Sequence, residues 1–68
     1  MTTLQTLQRA HAAFEEKKYD VAETLTLEVL DADPKAHKAH QLLSFIARER
    51  GDWGKAEAEL VKALEIDP

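Results

Sequence analysis

Residues 37–68 read HKAHQLLSFIARERGDWGKAEAELVKALEIDP, two apolar stripes divided by the pair Gly51-Asp52. Ahead of the pair, Ala39, Leu43, Ile46 and Ala47 follow the three-and-four spacing that gathers side chains on one face of a helix. Behind it, Ala56, Leu60, Ala63 and Leu64 repeat that spacing until Asp67-Pro68. Glycine can take the left-handed conformation that closes a helix, and Asp is a good N-cap, so the pair ends one helix and opens the next. The segment is a predicted helical hairpin.

The same hairpin is written once more upstream. Pro34 and Pro68 lie 34 residues apart, and laying residues 3–34 over 37–68 aligns seven identities: Ala13 with Ala47, Glu15 with Glu49, Ala22 with Ala56, Glu23 with Glu57, Leu30 with Leu64, Asp33 with Asp67 and Pro34 with Pro68. Tyr19 with Trp53, Leu27 with Val61 and Asp31 with Glu65 are alike in kind. In the first copy the stripes are Leu4, Leu7, Ala10 and Phe14, then Val21, Ala22, Leu25, Val29 and Leu30, with a turn at Lys17-Lys18-Tyr19-Asp20. Lys17 stands where the second copy has Gly51, so the shared geometry would place a lysine in the left-handed region, and we expect a looser first turn. Asp33-Pro34 is expected to open the third helix, because Pro fits a first helical turn and an Asp before it can accept from exposed amides; Asp33 itself is pushed out of the helical region by the ring that follows. At Asp67-Pro68 the same logic calls for another helix. Either Pro68 is only a stop signal or the chain is the front of a longer array, and the longer parent is our expectation.

Composition narrows the function. The chain has 68 residues and a mass of 7.7 kDa, enough for one small domain whose core only just offsets its conformational entropy, with little left to hold a deep catalytic cavity open. With 44% hydrophobic and 32% charged residues it has the make-up of a soluble folded chain. No Cys is present, which removes disulfides, thiolate zinc sites and cysteine nucleophiles. The formal charge of −4 argues against nucleic-acid or anionic-membrane partners, which call for a basic excess. Met1 to Ala10 holds polar Thr and Gln throughout, no run approaches a membrane span, and the expected setting is cytoplasmic.

A 34-residue two-helix unit with small residues at fixed places and a terminal Pro resembles the tetratricopeptide repeat. Counting from Thr3 and His37, the eighth position holds Ala10 and Ser44, the seventeenth Tyr19 and Trp53, the twentieth Ala22 and Ala56, the twenty-seventh Val29 and Ala63, and the last Pro34 and Pro68. Leu43, Gly51 and Leu60 also match in the second unit. Thr6 and His40 stand where the family often has Trp, Arg9 where it has Leu, and Thr26 where it has an aromatic. The resemblance implies an all-α fold of two tandem helix-turn-helix hairpins, four antiparallel helices in a short right-handed solenoid. One domain would span residues 1–68, with repeat 1 at about 3–36 and repeat 2 at about 37–68.

It also implies a function, protein–protein interaction without catalysis or cofactor. In this family the first helix of each hairpin lines a concave groove, at positions that fall here on Leu4, Leu7, His11 and Phe14, then Lys38, Gln41, Phe45 and Arg48. That surface is apolar on one side and basic on the other, and would suit a peptide or helix offering apolar groups and an acid. Phe14 and Phe45 admit a second reading, as side chains packed on each other or on neighbouring helices. The family's carboxylate clamp places Lys and Asn where this chain has Leu4, Gln8, Lys38 and Leu42, so the clamp is mostly missing. A homodimer, by surface contact or by exchange of hairpins, is the alternative function: Leu60, Leu64 and Ile66 would lie on an uncovered flank of the last hairpin, which in a longer parent the following repeat would cover instead. His37 and His40 sit three apart, as two surface histidines without a third ligand at a telling spacing, and no metal site is expected. Glu15-Glu16-Lys17-Lys18 and Glu57 to Glu59 read as solvated helix faces, and no catalytic constellation appears at an interpretable spacing.

Overall fold

The computed structural model of the chain describes residues 2–67. It contains four helices, α1 (Thr3–Glu15), α2 (Tyr19–Ala32), α3 (His37–Glu49) and α4 (Trp53–Ile66), and no strand among the described residues. Helix α1 packs on α2 and α3 on α4, giving two hairpins, while α3 also lies against α2 and α1. Pro68, on which the stop-or-continue question turned, lies outside the described residues.

Local chemistry sets the ends. Thr2 Oγ1 accepts from the Gln5 amide at 3.1 Å and Gln5 Oε1 accepts from the Thr2 amide at 3.1 Å, a reciprocal cap that opens α1. The two hairpin turns close alike. The Lys17 amide donates to the Phe14 carbonyl and Lys18 to Ala13, as Gly51 donates to Arg48 and Asp52 to Ala47. Lys17 takes φ +62° and Gly51 +78°, so the left-handed lysine expected from the alignment is present. The first turn is not looser, because its two closing bonds, both 2.9 Å, match those of the second, 3.0 and 2.8 Å. Asp52 Oδ1 accepts from the Lys55 amide at 3.2 Å and caps α4.

The entry to α3 differs from expectation. Asp33 lies outside the helical region, at φ −141° and ψ 88°, but it does not open a helix at Pro34. Its carboxylate takes the Lys35 amide and its carbonyl the Ala36 amide, so the acceptors that would cap a helix close a separate turn, and α3 begins only at His37.

Burial makes α3 the central element, with seven of its thirteen residues buried against three in each of the other helices. Its Leu42, Leu43 and Ile46 insert among Ala10, Ala13 and Ala22 of the first hairpin. The alanines make this possible, because a methyl-sized side chain lets two helix backbones approach closely. Several stripe residues face outward instead: Leu4, Val21, Leu60 and Leu64 are all exposed. The first-hairpin core is completed by polar Thr26, fully buried with its hydroxyl donating to the Ala22 carbonyl at 2.6 Å.

Two acidic and basic readings also change. His40 and Glu59 are each only 9% exposed, so neither is a surface residue. His40 Nε2 lies 3.0 Å from the Pro34 carbonyl, which can only accept, and Nδ1 lies 2.8 Å from Glu59 Oε2, so a proton lies between imidazole and carboxylate. This joins the inter-hairpin turn, α3 and α4 through one side chain. Glu59 occupies the position of Leu25 in the first copy, and that alignment was the signal that it faces inward.

Candidate partner-binding face

Because α1 and α3 pack side by side, the residues expected to line a groove fall on one shared face about 15 Å long, ten residues at the rise of an α-helix. At one end Leu4, Leu7 and Lys38 border a shallow depression floored by Val29 and Ala36. Leu4 is 64% exposed, far more than a core leucine. His11 is exposed and Gln41 half-buried midway along.

At the other end the aromatics meet. The Phe14 ring lies 5.7 Å from Tyr19 at 56° and 6.5 Å from Phe45 at 39°, tilted geometries that suit ring quadrupoles. The Arg48 guanidinium sits 5.3 Å from the Phe45 centroid. Both phenylalanines are half-buried and packed on the core, so they are not spare to it. The structure thus gathers two clusters, Leu4–Leu7–Lys38 and Phe14–Phe45–Arg48.

Several charges elsewhere are matched. Arg50 pairs with Asp20 and, at 3.4 Å, with Glu23; Lys55 reaches Glu23 at 3.1 Å, tying the α3–α4 turn to α2. Lys62 pairs with Glu59 and Lys18 with Glu16. Lys38 and Arg48 have no carboxylate at ion-pair distance among the described residues, which leaves the face basic. His37 turns to Asp67 at 3.5 Å and His40 to Glu59, so the two histidines do not converge, and no group of three metal-ligating side chains occurs among the described residues. Of the flank residues, Leu60 and Leu64 are exposed and Ile66 is half-buried. Among the described residues, no helix is long and apolar enough to cross a membrane.

Fold and face together define an all-α module of two stacked hairpins with an apolar and basic surface shared by α1 and α3. No family model, no curated protein and no solved structure matches the chain.

Proposed function

We propose that the chain is an interaction module of the tetratricopeptide type, binding a peptide or helix along the groove of α1 and α3 and catalysing no reaction. The observation that carries this reading is the pairing of exposed Leu4 and half-buried Phe14 and Phe45 with Lys38 and Arg48, two cations without carboxylate partners among the described residues. Aromatics and Arg concentrate binding energy where water is excluded, and cations select an acidic partner. A ligand for this face offers two apolar side chains and at least one carboxylate. The reading invokes no cofactor and goes with a cytoplasmic setting.

The alternative, a homodimer through Leu60, Leu64 and Ile66, has the exposure of the two leucines in its favour. A copy stacked head to tail would present polar Gln5, Gln8 and Arg9 to them, whereas a two-fold pair or an exchange of hairpins would set the leucines together, and sedimentation equilibrium with Leu60→Glu decides this alternative.

The test is a peptide array scored with labelled protein, followed by fluorescence anisotropy on the best binders. Leu4→Ser with Lys38→Glu alters two exposed residues, so the fold should survive, as circular dichroism will report. We expect selected peptides to be acidic with apolar anchors, and the double substitution to weaken them by tenfold or more, given about 1–3 kcal/mol for a lost apolar anchor. Unchanged affinity at unchanged helicity would overturn the assignment of this face.

A further inference from the structure

The three histidines of the chain differ in what they touch. His11 is exposed on α1, and His37, half-buried at the start of α3, reaches Asp67 at 3.5 Å. His40 is the buried one and bridges two elements: Nε2 stands 3.0 Å from the Pro34 carbonyl and Nδ1 2.8 Å from Glu59 Oε2. Lys62, 3.5 Å from Glu59 Oε1, is the charged group behind that carboxylate. Among the described residues, α1, α2 and the turn of residues 33–36 bring no charged side chain to ion-pair distance of the imidazole.

The Pro34 carbonyl can only accept a hydrogen bond, and so can an ionised carboxylate, whereas a neutral imidazole has a single N–H to give. Both contacts are therefore made only while imidazole and carboxylate hold a proton between them. Once that proton leaves, the ring has one N–H and two acceptors to serve. A bond to a carboxylate is charge-assisted and roughly twice as strong as one to a neutral carbonyl, so the remaining proton stays on Nδ1. Nε2 then presents a bare lone pair to the Pro34 oxygen, acceptor against acceptor. Pro34 is exposed and its carbonyl has no other donor among the described residues, so water can take the oxygen over and the turn is free to shift.

We infer that His40 is a proton-operated tie between α4 and the turn of residues 33–36, made while the His40–Glu59 pair holds its proton and released at Pro34 as pH rises. The turn matters because Asp33 and Ala36 line the depression at the Leu4–Lys38 end of the α1–α3 face. With the tie made, that end is held in shape; with the tie released, the wall against which a ligand packs loosens. This consequence rests on the proposed partner-binding face: affinity there is higher at mildly acidic than at alkaline pH. His40 acts through the turn and is a positioning residue.

Two measurements separate the tie from its consequence. The first follows the His40 ring and the Lys35 and Ala36 amides of the full chain by nuclear magnetic resonance from about pH 6 to about pH 9, a window around the ordinary imidazole range. The two amides should move with the ring, in the parent and in His11→Gln and His37→Gln variants. Glu59→Gln should abolish their movement, because a neutral side-chain amide can donate to Nδ1 and leave the Nε2 proton on Pro34 at every pH; circular dichroism reports that this variant folds. The second is fluorescence anisotropy with the tightest histidine-free, N-acetylated peptide from the array, at about pH 6 and about pH 9, where its carboxylates are ionised throughout. Affinity should fall about threefold at the higher pH, the scale of one hydrogen bond, in the parent and in His11→Gln but not in Glu59→Gln. The tie is overturned by a His40 ring that does not titrate in this window, by amides that stay still while it does, or by equal movement in Glu59→Gln. Moving amides with unchanged affinity would overturn the control of the face, and the lack of any binding peptide would overturn the face itself while the amide titration still decides the tie.

Discussion

Lys17 and Gly51 perform the same backbone task with unequal aptitude. A lysine at φ +62° carries a steric cost that glycine at +78° does not. Lys17→Gly should therefore stabilise the chain by about 1 kcal/mol, and Gly51→Ala should destabilise it by a similar amount. The second loss belongs to the backbone alone, since a Cβ at Gly51 would meet nothing within 4 Å. Thermal unfolding followed by circular dichroism checks both, with shifts of about 4–8 °C per kcal/mol expected in a domain of this size. No change at either position would mean that the turns do not hold the left-handed geometry. At this scale the alignment of the two copies was more informative than residue type. It located Lys17 correctly, whereas Glu59 was read from its charge as solvated although its partner in the alignment is Leu25. The buried carboxylate is held by Lys62 one turn on and, more closely, by His40, a partner 19 residues away that spacing within one helix cannot reveal.

Helix α3 was legible in its apolar stripe and illegible in its start. The stripe residues Ala39, Leu43, Ile46 and Ala47 are all buried, because a three-and-four pattern on a central helix has one reading. The start was misplaced because Asp33 can cap either a helix or a tight turn, and only the positions of Lys35 and Ala36 show which. Once formed, α3 is fastened to α4 through His40 and Glu59. Removing one partner leaves the other buried with a single remaining contact, Lys62 for Glu59 and the Pro34 carbonyl for His40, so His40→Ala and Glu59→Ala should each cost about 2–3 kcal/mol. The double variant should cost clearly less than the two together, since the first substitution has already broken the pair. Urea denaturation monitored by circular dichroism gives the cycle, and strict additivity would show that the two side chains do not interact.

At the scale of the whole molecule, four helices and two hairpins could be read from the chain's punctuation, and the stacking of one hairpin on the other followed from the aligned small residues. The sharing of the phenylalanines between core and surface could not be read, because Phe14 and Phe45 meet across two helices whose separation depends on Ala10 and Ala13 beneath them. The α1–α3 face depends on that stacking. Its most direct test is a proton nuclear Overhauser spectrum of the free chain. The expected result is cross-peaks between the Phe14 and Phe45 rings, and between the methyls of Leu42 or Ile46 and those of Ala10, Ala13 or Ala22. Cross-peaks confined within each hairpin, with none joining residues 2–32 to residues 37–67, would contradict it.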